Sequence, residues 1–398
     1  MKKISIAFAI DRSFESRDYK RYGVNSLSKF FNVHVLDCSY IVNKDTVKAG
    51  HSQSVTKIFN FDECVVLLKY KSISKFLEDK SISFYFDLMG VGFSCARIRR
   101  IMHIHRVSRI KLFLGELPQL YSAKSFVSRL KIAVLKGRLI PRIFEYVIRK
   151  LFIQKLEPKV DMSIYSGSIC KTRYQKNIDK GIVWAHALDY QVYLEVLKSK
   201  YEYKNEKNYA VFLDQNAPSH PDYSFHKNKP PVTENYYYKS LNNFFDDFEN
   251  RTGIEVIIAS HPRSSANEHP HQWNNRKSII GKTPWLVEGA TLVFAHYSTA
   301  ISFAVLWKKP IIQLTTSEYD ESYRHERFVA FSTALNLKPL NVDDYEEGQI
   351  MDKYLFNIDK VAYGKYEELY LKSKYSESRD LWSIVADNIN QYKELNEL

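Results

Sequence analysis

The sequence predicts an α/β protein made of two successive, mostly parallel sheets. Three observations support this. In the first 200 residues, β-branched and aromatic runs alternate with helix-like stretches. A polar, charged tract, "KSKYEYKNEKN" at 198–208, then interrupts the pattern, and a second alternating series follows it. Strands separated by helical stretches are the signature of βαβ units.

In chain order, "KISIAFAI" reads as the first strand and "GVNSLSKFF" opens a helix. "NVHVLDC", "ECVVLL", "ISFYFDLMG" and "RIKLFLGELP" read as further strands, and "VDMSIYSGS" as another after a basic helical region. In the second half, "YAVFLDQ" is a strand and "ENYYYKSLNNFFDDFENRTG" a helix stopped by Gly253. "IEVIIASHP" is the next strand, and "TLVFAHYSTAISFAVLWKKPIIQLTT" reads strand, turn, helix, strand. "KYSESRDLWSIVADNINQY" has the pattern of an amphipathic closing helix. The expected domains are residues 1–200 and 207–375, with 376–398 as the closing helix.

Composition narrows the function. A chain of 398 residues, 45% hydrophobic and 14% aromatic, has ample material for packed cores, which excludes global disorder. Its four cysteines are far apart and show no ligand spacing, as free thiols in a reducing cytosol would. The apolar run after Lys2-Lys3 is too short for a signal peptide and ends in Asp11-Arg12. No 18-residue apolar stretch exists. The expected location is therefore the cytoplasm.

The net charge of +13 calls for an anionic partner. Ten Lys/Arg against two Glu between Lys124 and Lys159 give that segment +8 in 36 residues. Apolar residues interleave with the basic ones, a pattern suited to lying on an anionic membrane surface at the inner face of the cytoplasmic membrane. Stacking aromatics are too few there for nucleic acid, which is not expected as a partner.

Ligands of open α/β sheets bind beyond the C-terminal ends of the strands. Four strand ends of the second half carry polar groups: Asp214-Gln215, His261-Pro262-Arg263, His296-Tyr297-Ser298-Thr299 and Thr315-Thr316. Pro262 cannot continue a strand ladder and keeps His261 out of the α region, which aims the imidazole past the sheet edge. Arg263 adds a permanent charge for an anion. Ser298 and Thr299 stand where a strand gives way to a helix, whose unpaired N–H groups attract phosphate.

A strand ending in His-Pro, then about 35 residues later one ending in Ser-Thr at a helix start, resembles a pattern in GT-B glycosyltransferases. It is similar to the nucleotide-binding half of bacterial sialyltransferases and related Kdo transferases of surface-polysaccharide synthesis. "FAHYSTAISFAVLWKKPIIQL" is also similar to the matching segment of polyglycerolphosphate-type transferases. The resemblance covers about residues 207–320.

It implies a GT-B fold, two Rossmann-like domains facing each other across a cleft. It further implies a CMP-linked acidic sugar as donor, held by His261-Pro262 and Ser298-Thr299, with Arg263, His296, Gln215 and Glu288 as further donor-site candidates. The acceptor is expected to be a glycan or lipid-linked glycan of capsule, lipopolysaccharide or O-antigen. The Asp-Asp/Glu-Gly motif that carries the base in several of those families is absent, which leaves Asp214, Asp11 and Glu116 as carboxylates for that task. No Asp-x-Asp triplet exists, so neither a metal nor another cofactor is expected, and leaving-group stabilisation falls to cations and helix dipole.

A glycerol-phosphate or phosphoryl-unit transferase is the alternative reading, and a non-catalytic scaffold a third.

Overall fold

The structure, a computed structural model, describes residues 3–12, 14, 16–43, 64–120, 157–174, 181–199, 208–220, 223, 229–261, 272–345 and 357–397. These form two compact units. The first gathers the described residues up to Leu114, those from Glu157 to Leu188, and those from Lys374 onward. The second gathers Gly115–Leu120 and Asp189–Ser373. Most of the basic segment at 124–159 lies outside the described residues.

The first unit holds a seven-stranded parallel sheet in the order β3-β2-β1-β4-β5-β6-β7. Its strands are β1 (Ser5–Ile10), β2 (Asn32–Asp37), β3 (Cys64–Val66), β4 (Ile82–Asp87), β5 (Ser108–Phe113), β6 (Met162–Tyr165) and β7 (Ile182–Trp184). Successive side chains of a strand point to opposite faces, so each strand feeds two cores. Ala7, Ala9, Leu36 and Tyr85 pack on one face against Ile73, Phe76 and Leu77 of the helix Tyr70–Lys80 and Ile98 and Met102 of the helix Phe93–Ile104. Ile6, Phe8, Val35, Phe84 and Phe86 face the other way. That side is covered by Leu381, Trp382, Val385 and Ile389 of the helix Leu381–Glu397.

Trp382 dictates the residue beneath it. Gly23 has φ +57°, and a Cβ placed on it would lie 2.0 Å from Trp382 Cδ1. Left-handed backbone costs an L-residue about 1–2 kcal/mol, and overpacking costs about 1–3 kcal/mol more. Gly23→Ala is therefore expected to destabilise the protein by about 2–5 kcal/mol, measured by thermal or urea unfolding.

A buried ionic cluster ties β4, β5 and Glu157 together. The Asp87 carboxylate accepts from Arg99 Nε (2.8 Å) and Nη2 (3.1 Å) and from Arg109 Nε (2.8 Å) and Nη2 (2.6 Å). Arg99 Nη1 donates to Glu157 (2.6 Å), and its Nη2 also reaches the carbonyls of Met89 and Gly90, each at 2.8 Å. Burial alone would raise the Asp87 carboxyl, but the two guanidiniums outweigh it and hold it below its ordinary value.

The second unit holds a six-stranded sheet, β10-β9-β8-β11-β12-β13, all pairings parallel. The strands are β8 (Tyr209–Leu213), β9 (Glu255–Ser260), β10 (Ser278–Ile280), β11 (Leu292–Ala295), β12 (Ile311–Thr315) and β13 (Leu340–Asn341). The helix Glu234–Thr252 covers one face with Tyr237, Leu241, Phe244, Phe245 and Phe248, which pack on Phe212, Ile258 and Phe294. Gly253, at φ +67°, caps it in the left-handed region as its sequence position predicts.

Candidate functional site

In the second sheet the strand order reverses between β8 and β11, since the chain steps outward from β8 through β9 and β10 and then returns to place β11 on the other side. Such a switch point opens a crevice at the C-terminal ends of the strands. The register aligns those ends: Leu213 pairs with Ala259 on one side and Ala295 on the other, and Ala295 pairs with Gln313. His261 follows β9, Asp214 follows β8, and Ser298 lies three residues past β11. Neighbouring strands are about 4.8 Å apart, so the β9 and β11 ends flank Asp214 about 10 Å from each other.

Asp214 is buried at the centre of this rim. Its Oδ1 accepts from Asn216 N–H at 2.8 Å, and the N–H groups of His261 and Gln215 also bond the carboxylate. Burial pushes the carboxyl up to about 6, against the downward pull of these three N–H groups. Asn216 adopts φ +49°, a conformation that asparagine tolerates better than most residues. The carboxylate thus joins the turn after β8 to the turn after β9, and through the His261 N–H it holds the residue that carries the imidazole.

The His261 ring meets His220 edge-on, with centroids 4.7 Å apart, and His220 contacts Tyr223 at 5.9 Å. The Arg324 guanidinium lies 5.9 Å from the Tyr223 ring centroid and 4.9 Å from that of Tyr323. A continuous arc of rings and one guanidinium therefore runs along the rim. Pro262 and Arg263 lie outside the described residues.

Gln215 spans the switch point, its Oε1 accepting from Tyr297 N–H at 3.2 Å. Ser298 Oγ accepts from Ala300 N–H at 3.2 Å, in the turn that leads into the next helix. Ser298 is half-buried and Thr299 exposed, at the start of the short helix Ile301–Leu306. Thr315 and Thr316 are both buried: Thr315 Oγ1 donates to Asp320, and Thr316 Oγ1 accepts from Tyr319 N–H.

Two expected donor ligands sit elsewhere. His296 is fully buried among Phe212, Tyr237, Tyr319 and Phe328. Its Nδ1 is 2.7 Å from the Leu314 carbonyl, which can only accept, so Nδ1 carries the hydrogen. Nε2 then accepts from the Tyr237 hydroxyl at 3.0 Å. Both nitrogens are used internally, and His296 is a core histidine. Glu288 lies near the end of the helix Thr283–Gly289, just before β11 begins. In a parallel crossover that end of the helix reaches the N-terminal edge of the sheet, opposite the rim. The Tyr209 hydroxyl, on the first residue of β8, bonds the Leu286 carbonyl there.

His296 also gives the unit an acid-sensitive point. Burial lowers its pKa from 6.5 to about 4, although the Leu314 carbonyl favours the charged form. The unfolded chain binds a proton at this position at a pH where the folded one does not. The contribution is complete above about pH 6.5 and is lost as pH falls toward 4, by up to about 3 kcal/mol. Urea titrations at pH 7 and pH 4.5 should differ accordingly in the His296 part of their stability.

The two carboxylates expected from the first half follow strands of the first sheet. Asp11 follows β1, and its Oδ2 accepts from Gly90 N–H, past the end of β4, at 2.7 Å. It therefore bridges the equivalent switch point of that sheet, between β1 and β4. Glu116 is half-buried beyond β5, in the short segment that groups with the second unit. Among the described residues no group of three or more His, Cys, Asp and Glu side chains is placed to hold a metal ion, and no helix is long and apolar enough to cross a membrane.

No family model matches the chain, and no curated protein matches its sequence. Solved structures do match its fold. A protein from Listeria monocytogenes assigned as a UDP-N-acetylglucosamine 2-epimerase aligns with a TM-score of 0.54 at 11% identity, over 99% of this chain and 98% of its own. The H444N variant of the wall teichoic acid polymerase TagF aligns at 0.53 and 11%, over 100% and 91%. The glycotransferase of kitacinnamycin aligns at 0.52 and 9%, over 98% and 99%. Likeness at such identities is a likeness of architecture. The two parallel-stranded units have the GT-B fold.

Proposed function

We propose that this chain is a glycosyltransferase that moves a CMP-activated acidic sugar, sialic or Kdo-like, to a hydroxyl of a surface glycan. The observation that carries the reading is the convergence of His261, Asp214 and Ser298 on three neighbouring strand ends at one switch point. An imidazole and a serine hydroxyl within about 10 Å of each other, beside the positive end of a helix dipole, suit one nucleotide phosphate.

In the reaction the acceptor oxygen bonds the anomeric carbon, the bond from that carbon to the phosphate oxygen breaks, and CMP departs with the electron pair. The acceptor proton goes to a carboxylate. Asp11 and Glu116 are the candidates for that base, while Asp214, held by backbone N–H groups, positions His261. Arg263 adds charge at the leaving phosphate. The segment 1–200 supplies the acceptor side, and the basic segment rests on anionic lipid at the cytoplasmic face. Neither a metal nor another cofactor takes part.

Thermal-shift screening against CMP, UMP, UDP and GDP tests the donor class. A ligand at a hundredfold excess over its dissociation constant stabilises the folded state by about 2.7 kcal/mol. A shift with CMP alone supports the reading, and no shift with any nucleotide refutes it.

The likeness to a teichoic acid polymerase favours one second reading, transfer of glycerol phosphate or another phosphoryl-linked unit. The two differ in the bond that breaks. Release of CMP from a CMP-sugar indicates the first, and release of CMP from a CDP-linked polyol the second. A scaffold without chemistry would release nothing from either, and His261→Ala and Ser298→Ala would leave glycan assembly intact.

A further inference from the structure

The loop that carries Arg324 joins the helices Ser317–Glu321 and His325–Leu335. It lies past the C-terminal end of β12, the strand beside β11, and so on the rim that bears Ser298. Arg324 contrasts with three buried or half-buried arginines that are ion-paired. Arg99 and Arg109 are neutralised by Asp87, and Arg276 by Asp246 and Glu249. Among the described residues neither Arg324 nor Arg327 has a carboxylate partner, and the nearby Asp320 is engaged by His325, Thr315 and Asn341.

Arg324 Nε is buried with no hydrogen-bond partner among the described residues. Its surroundings are the rings of Tyr323 and Tyr223 and the hydroxyl ends of Tyr323 and Tyr297. A half-buried guanidinium without a counter-charge is costly unless an anion completes it.

We propose that Arg324 is the cation that grips the donor's phosphate, its planar fork approaching from the β12 side while His261 approaches from the β9 side. The inference rests on the nucleotide-donor reading and adds to it the residue that neutralises the leaving group. Arg327, one helical turn on and also close enough to act on Tyr297, adds a second positive charge. The Tyr223 and Tyr323 rings lie against the guanidinium, and the His220–His261 contact joins both grips into one arc.

Calorimetric titration of the full chain with CMP, cytidine and inorganic pyrophosphate separates the possibilities. Arg324→Gln should bind CMP about 10- to 100-fold more weakly than the parent, the range for a lost hydrogen bond to a charged group. Cytidine should bind equally to both, and Arg324→Lys should recover part of the loss, since it keeps the charge without the fork. CMP affinity unchanged in Arg324→Gln overturns the inference, as does an equal loss of CMP and cytidine. A parent that binds no nucleotide sinks the donor reading. The pyrophosphate arm then decides Arg324 separately: binding by the parent that Arg324→Gln loses sustains the anion site, and no binding by the parent removes it.

Discussion

Asp87→Ala should cost the first unit about 3–5 kcal/mol, the range for removing one partner of a buried ion pair. The variant leaves Arg99 and Arg109 facing each other inside the unit, with Glu157 the one carboxylate among the described residues that reaches both. Neither can shed its proton, so the charge must be solvated or the helix Phe93–Ile104 must move. A domain stability of about 5–15 kcal/mol leaves little margin for that loss. Urea unfolding at pH 7 measures it, and a cost under about 1 kcal/mol would show that water already reaches the cluster. Because the folded Asp87 carboxyl sits below its ordinary value, its contribution is present at neutral pH and fades as pH falls through the folded pKa.

Asp214→Asn should change both function and the pH profile of the second unit. The asparagine cannot accept from all three N–H groups that the carboxylate holds, so the His261 turn loosens. Misplacing a contact group by about 1 Å costs about 10²-fold, which is the scale of the expected loss in kcat/KM. Stability should move the other way with rising pH. The folded carboxyl titrates near 6 and the unfolded one near 3.8, so the parent keeps the full Asp214 contribution only below about pH 3.8 and loses it as pH rises through 6. Relative to the parent, the variant should therefore gain up to about 3 kcal/mol between pH 4 and pH 7. That gain also unmasks His296, whose slope over the same interval has the opposite sign. A variant whose difference from the parent does not vary with pH would refute the assignment.

The strands were legible because parallel strands covered on both faces are uninterrupted apolar runs, and "IAFAI" and "YAVFL" admit little else. β7, β10 and β13 escaped because two or three residues at the flank of a sheet carry almost no pattern. The rim was legible where a polar residue follows an apolar run, as at Asp214 and His261. The same rule misread His296, whose partners Tyr237 and Leu314 lie 59 and 18 residues away. Glu288 was misplaced because proximity to a strand in sequence does not say which end of it is near. Arg324 has no motif around it. Only the neighbours assembled by the fold distinguish it from any other arginine at a helix start. The Asp87 cluster joins residues 12, 22 and 58 apart, a spacing with no local signature.

The helix Leu381–Glu397 belongs to the sheet that the first strands build. A ribosome adding about 5–20 residues per second takes roughly ten to forty seconds to travel from Leu188 to Leu381. Throughout that interval Phe84 and Phe86 lack the rings of Tyr392 and Trp382 that pack on them, and the nascent chain offers a chaperone a sticky, half-built sheet. A fragment ending near residue 200, expressed alone, should go to inclusion bodies, and supplying the missing tail in trans should bring part of it back into solution.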